Sequence, residues 1–504
     1  MSTHKYDEIK AHRGVAAHCI FGVAVDHNGL MRRLPNQYPG SWSSLKAVGA
    51  LAAVAAITIL GAGLFTTAAS SANADATTTW TVYHGDAEGL GVSNALRTVN
   101  TSKPAWTSPQ LSGELYGEPL VFNGRVYVAT EEDVVYALSS SNGHVVWSRH
   151  LATPVPASDL PCGDISPTVG ITGTPVIDPA RNEIFVVADE LVHGSPQHKL
   201  VGLSTSTGAL ELSERVDPPG SDPHALLQRT GLNLDEGHVV FAMGGNYGDC
   251  STYRGRVVSV VESGSTPVIF TVDSRSGDSQ GAVWMGGAAP AVDAHGDVWV
   301  SVGNGSVHTS SQPYDDSDSA LELTASMRRR QFFAPAVWAQ DNAADYDMTT
   351  VPVLLGDGQV ILAGKSPRTY LLNGAHLGGI GHPEAITTGV CGNVIDGGSA
   401  VVGTTVYLPC LNGPAAVRVT ASPPSLRVLW NANVGGGPPI YAAGLVWTIG
   451  QNGTLYGLNP ATGAVHQQAS IGAVANHFPT PSVGDSLLLA PSATHVVAFH
   501  ASVG

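Results

Sequence analysis

Four cysteines, Cys162, Cys250, Cys391 and Cys410, follow residue 75, and Cys19 precedes it. No C-x-x-C spacing occurs, which argues against a zinc ribbon, and no C-x-x-C-H, so the chain carries no c-type haem of its own. The histidines are scattered without H-x-x-x-H or H-E-x-x-H, so zinc hydrolase and Ser-His-Asp readings lack support. Other chemistry-bearing residues stand in glycine-rich punctuation: Asp249 after Gly244-Gly245, Asn304 within Gly303-Asn304-Gly305, Lys365 after Gly364. Taken alone, such residues serve Asx turns and left-handed positions as readily as ligands. Asp345 and Asp347 stand just before an apolar strand, and Trp284 reads equally as a wedge between structural units. The acidic run Asp315, Asp316, Asp318 lacks EF-hand spacing and is expected to be a solvated loop.

These residues need a scaffold, and composition narrows it. Of 504 residues, 59 are Gly and 32 Pro, about 18% where about 12% is usual. The chain is 43% hydrophobic and only 13% charged. That balance excludes disorder and sustained helical heptads, leaving many short strands separated by turns. Net charge is −16, and residues 75–504 alone carry −19. Such a body repels phosphate backbones, so nucleic acid is not an expected partner.

The N-terminus reads as an export signal. Ala47–Phe65 is an uncharged apolar run preceded by Arg32, Arg33 and Lys46 and followed by Ala72-Asn73-Ala74, a small-residue cleavage pattern. The run is also just long enough to span a bilayer, so an uncleaved anchor is the alternative. Residues 1–76 are read as an extension plus signal peptide or anchor, with Met31 a second candidate start. The expected location is extracytoplasmic, secreted or periplasmic, or anchored through residues 47–65. An oxidising compartment makes the four later cysteines a disulfide set, with Cys391–Cys410 and Cys162–Cys250 the favoured pairs.

Residues 77–504 are organised by an internal repeat. Val126–Thr130, then Tyr136–Leu138 and Gly143, align with Ile184–Ala188, Val201–Leu203 and Gly208, and with Leu445–Thr448, Tyr456–Leu458 and Gly463. Weaker copies begin at Val239, Val298, Val360, Val406 and Leu487. Eight copies at roughly 50-residue spacing predict an all-β fold: an eight-bladed β-propeller of four-stranded antiparallel blades. The last copy stops after its third strand, so the segment Lys103–Leu111 around Trp106 is expected to close the ring as an N-terminal strand. A pair of β-sandwiches is the alternative that equal spacing disfavours.

The stretch Val126–Trp147 resembles the repeat of pyrroloquinoline quinone (PQQ) propellers. Later copies depart from it, with Leu212 and Gln467 where the repeat has Trp. In the middle of the chain, Gly244–Asp249, Val283-Trp284-Met285, Val302–Gly305, Ala344–Asp347 and Ala363–Ser366 resemble, in order, the site segments of quinoprotein dehydrogenases. Asp249 replaces that family's Glu, and Pro367 its Gly. The resemblance implies calcium held by Asp249 and Asn304, a hard cation on oxygen donors. It implies Trp284 as the flat floor under PQQ and Lys365 beside the quinone oxygens. Asp345 is implied as the base taking an alcohol proton while hydride passes to PQQ. Two functions are therefore expected. One is an exported quinoprotein dehydrogenase acting on a small alcohol or sugar and passing electrons to an external acceptor. The other is a non-catalytic scaffold binding a protein partner in envelope assembly.

Overall fold

The computed structural model describes residues 79–392 and 394–503. Ala47–Phe65, Cys19 and Met31 lie outside the described residues. Eight small antiparallel sheets form an eight-bladed propeller, and each coincides with one repeat. Blade 1 comprises Leu120–Phe122, Arg125–Ala129, Val134–Ser139 and Val145–His150, named here strands A to D from the axis outwards. Blade 2 spans Val176–Asp178 to Leu210–Arg215, blade 3 Asn233–Asp235 to Val268–Thr271 with Leu226–Leu227 added at the end of its second strand, and blade 4 Ala291–Val292 to Arg329–Ala334. Blade 5 spans Val353–Leu354 to Ala385–Thr388, blade 6 Ala400–Val402 to Pro424–Asn431, and blade 7 Ile440–Ala442 to Val465–Ser470.

Blade 8 supplies Ser482–Gly484, Leu487–Pro491 and Val496–Val503 from the C-terminus and its outer strand from the N-terminus. Trp106–Thr107 pairs with Val497–Ala498, as expected. Leu96–Val99 pairs with the rest of the same strand, so the closing seam is longer than Lys103–Leu111.

Four junctions between neighbouring blades are pinned by a side chain of strand D resting on the C–D turn glycine of the next blade. Trp106 covers Gly143, Trp147 covers Gly208 and Trp430 covers Gly463. A Cβ on Gly143 would sit 2.4 Å from the Trp106 ring, and φ there is +73°, so only glycine fits. Each indole N–H then donates to the same turn: to Ser140 O (2.8 Å), Thr205 O (2.9 Å) and Pro460 O (3.0 Å). Leu212, where the repeat has Trp, occupies the equivalent place over Gly264 and keeps the contact without the hydrogen bond.

Residues 80–93 fill the channel along the propeller axis. Their main chain pairs with Val121 and Ile177, takes a bond from the Asn233 side chain, and accepts from Val292, Val401 and Tyr441. Those six residues lie on strands A of six different blades, edges that would otherwise face the channel unpaired. Tyr83 and His84 are fully buried there.

Replacing Trp106 with Ala removes a wedge and an indole bond at the closing seam. It should lower unfolding free energy by about 3–5 kcal/mol in a denaturant titration. A loss below about 1 kcal/mol would mean the seam is held by main-chain pairing alone.

Candidate functional site

In each blade, the B–C turns and the connections from strand D to the next strand A lie on one face. The A–B and C–D turns lie on the other. Asp249, Asn304 and Lys365 stand on the B–C turns of blades 3, 4 and 5, while Trp284 and Asp345 stand on the connections entering blades 4 and 5. All five therefore reach the same face, and all five line one cavity of about 400 Å³. Tyr247, Gln280, His308 and Asn342 complete its wall.

Trp284 lies over Gly244, where a Cβ would be 2.4 Å from the indole nitrogen. Its N–H donates to Gly245 O at 3.2 Å, so the ring is fixed at the cavity rather than wedged between blades. The Lys365 ammonium stands 5.7 Å from the Trp284 ring centre.

Asp347 is the hub behind the cavity wall. Its Oδ1 accepts the Asn304 main-chain N–H at 2.6 Å, its carboxylate pairs with Lys365 Nζ, and its carbonyl accepts the Lys365 N–H at 2.9 Å. Burial pushes the Asp347 carboxyl above its ordinary value, opposed by Lys365. Burial also works against the Lys365 charge, but Asp347 and Asp345 outweigh it and hold the ammonium well above its ordinary value. Asp345 Oδ1 takes Asn304 Nδ2 at 2.7 Å and Lys365 Nζ at 3.0 Å, while its side chain remains 71% exposed. Asn304 is oriented through both N–H groups, and its side-chain oxygen is buried with no hydrogen-bond partner. A buried amide oxygen without a donor is costly, and a hard cation would satisfy it.

Asp249 sits at φ +50° and accepts a short hydrogen bond from the buried Tyr253 hydroxyl. Burial raises its carboxyl, with Tyr253 and Lys365 pulling it back. The next residue, Cys250, is joined to Cys162, and Cys391 is joined to Cys410, the two favoured pairs. The first bridge ties the Asp249 turn to the long connection entering blade 2.

Asp315 and Asp318 are not solvated: they are 1% and 0% exposed. Asp315 folds back on Val307 N and Ser317, and Asp318 lies behind Asp347, where burial holds its carboxyl well above the usual range. The run shapes the blade 4 B–C turn instead of a surface loop.

Residues 91–299 match the PQQ-repeat family model described as Outer membrane protein assembly factor BamB. A comparison with curated protein sequences returns no match. Among solved structures, quinohemoprotein alcohol dehydrogenase ADHIIG from Pseudomonas putida HK5 superposes with a TM-score of 0.61 at 14% identity, covering 84% of this chain and 80% of that one. A europium-containing methanol dehydrogenase gives 0.61 at 13% identity over 84% of this chain and 98% of that one. BamB from Moraxella catarrhalis gives 0.50 at 13% identity over 80% and 98%. At such identities the likeness is one of fold.

Glu131, on the blade 1 B–C turn of the same face, is pushed up to about 8 and Asp189 in blade 2 to about 7, both by burial. Unfolded, these acids ionise near 4, so folding favours their protonated forms. Their contribution is fully present below about pH 4 and is lost as pH rises towards 8. Glu131→Gln should flatten the fall in unfolding free energy between pH 5 and pH 8; an unchanged slope would show that Glu131 is ionised in the fold. The chain is an eight-bladed β-propeller carrying the PQQ repeat, matched over residues 91–299.

Proposed function

We propose that this propeller binds PQQ with calcium and oxidises a small alcohol or sugar, delivering the electrons to a separate acceptor. The observation that carries the reading is the meeting of Asp249, Trp284, Asn304, Asp345 and Lys365 around one cavity, with the Asn304 amide oxygen unpartnered. The donor set fits the metal: an amide oxygen without a donor and a carboxylate with one oxygen bound to Tyr253 are hard ligands. When bound, the quinone supplies the two-electron acceptor for the substrate's carbon-bound hydrogen, and calcium supplies Lewis acidity.

The residues provide the rest. Trp284 offers a flat apolar face whose tilt is fixed by Gly244 and Gly245. Lys365, kept cationic by Asp347, places positive charge beside that face, where negative charge on a ligand oxygen is stabilised. Asp345 has Oδ1 committed to Asn304 and Lys365, leaving Oδ2 free to accept the substrate hydroxyl proton. The two disulfides fit an oxidising, extracytoplasmic setting.

A second reading, a scaffold that binds a protein partner, is favoured by the assembly-factor description of the model matching residues 91–299.

PQQ and calcium together should raise the thermal midpoint of the purified protein, and dye-linked oxidation of simple alcohols or sugars should follow. Asp345→Asn should keep the midpoint shift but cut turnover at least about 100-fold. Asn304→Ala should lose the calcium dependence of the shift. No shift and no turnover in the wild type would leave the scaffold reading.

A further inference from the structure

The junction between blades 4 and 5 is built differently from the wedged ones. Where Trp147, Leu212 and Trp430 pair across the sheet with Ala137, Gly202 and Ala416, blade 4 pairs Gln331 with Glu322. Gln331 reaches the C–D turn of blade 5 by hydrogen bonds, donating to Gly374 O at 2.6 Å and accepting from Leu377 N at 2.8 Å, and it donates to Glu322 as well. Both residues line a cavity of about 910 Å³ that extends to the A–B turns of the two blades, on the face opposite the candidate site. Cavities of about 300–1,000 Å³ are the size that takes a small organic ligand.

The cavity is acidic. Glu88, Asp293, Asp297, Glu322 and Asp357 stand on its wall against one fixed cation, Arg330, with His295 and His376 beside them. Arg330 pairs with Asp297 at 2.9 Å and with Glu322 at 3.5 Å, but its side chain is 54% exposed, so solvent screens the pairing. Asp297 and Glu322 are themselves buried, and Asp293, Asp297 and Glu322 each hold an oxygen within 4.8 Å of the others. Asp293 is fixed by the main-chain N–H groups of His295 and Asp297 and by the Trp299 indole N–H. Burial raises the Glu322 carboxyl, and Asp297 and Asp293 raise it further against Gln331 and Arg330.

A separate deficit lies on the same wall. Gln359 is 6% exposed, its Nε2 donates to Glu384 at 2.8 Å, and its Oε1 is buried with no hydrogen-bond partner. An acceptor in that state favours a ligand that brings N–H donors. The three clustered carboxylates favour the same: charge-assisted N–H···O bonds of about 2.8 Å from one tetrahedral ammonium set their acceptors about 4.6 Å apart. A bare metal ion would meet those oxygens and leave the apolar wall of Trp299, Leu354 and Leu355 uncovered.

We propose that this cavity is a binding site for an aliphatic polyamine. One ammonium sits on Asp293, Asp297 and Glu322, the methylene chain lies against Trp299, Leu354 and Leu355, and Glu88 and Asp357 balance the further positive charge. The site stands whether or not the opposite face binds a quinone.

The test is calorimetric titration of the full chain with spermidine at physiological ionic strength, with butylamine and butanediol as controls. Spermidine should bind at one site per chain, butylamine at least about tenfold more weakly, and butanediol not at all. Glu322→Gln should weaken spermidine at least about tenfold, the loss of one charge-assisted bond. Arg330→Gln removes the competing cation and should tighten it. Because Arg330 is exposed, that variant decides the matter even where Glu322→Gln disturbs the fold. No spermidine binding, or several weak sites unchanged in Glu322→Gln, would overturn the proposal; the second result would mean non-specific attraction to an acidic surface. Weaker binding in Arg330→Gln would overturn it too. So would a calcium response, in place of a spermidine response, that Glu322→Gln abolishes; the cluster would then be a metal site.

Discussion

The propeller works only as a closed ring, and closure depends on one strand of blade 8. Val496–Val503 binds Leu487–Pro491 on one side and the N-terminal segments Leu96–Val99 and Trp106–Thr107 on the other. Thr98 and Ser502 meet there across 404 residues of sequence. Once the ring is shut, neighbouring blades fix each other's positions, at four junctions through a strand D side chain over a turn glycine of the next blade. The B–C turns of blades 3, 4 and 5 are thereby aimed at a common point although Asp249 and Lys365 are far apart in the chain. The axial segment 80–93 adds a second closure, binding the inner edges of six blades.

Within that frame, Asp347 converts blade geometry into site geometry. It sits on the connection into blade 5 and holds the Asn304 main chain of blade 4 together with both the main chain and the ammonium of Lys365. A buried carboxylate is tolerable because it is bonded to an N–H and paired with a cation. The result leaves exposed Asp345 with one oxygen fixed and one free, beside a charge that stays positive. The Asn304 amide oxygen near the cavity remains without a hydrogen-bond partner. Buried polar groups left in deficit are where a ligand is most strongly favoured.

Much of the architecture was legible in sequence because a propeller blade is a local unit. The eight repeats follow from apolar runs and turn glycines, and each repeat became one sheet. The closing role of Trp106 followed from a last copy lacking its outer strand. The axial segment 80–93 was not legible, since it binds through main-chain groups that leave no side-chain pattern. Trp430 and Leu212 were missed as wedges because docking depends on a glycine in the next blade, a relation between repeats. The five candidate residues stand in the sequence as an ordered series of motif segments, and the structure brings them to one cavity. Asp347 was noticed only beside Asp345; its role is set by burial two residues away, which spacing does not reveal. Burial also reversed the expectation for Asp315 and Asp318, whose local sequence reads as surface.

The central claim is that these residues form a single calcium-dependent quinone site, and its most direct test is calorimetric titration of the full chain with PQQ. The account predicts one PQQ per chain, with binding that requires calcium and is lost when Asn304 is replaced by Ala. Binding of equal strength with and without calcium, or no binding of PQQ at all, would contradict it.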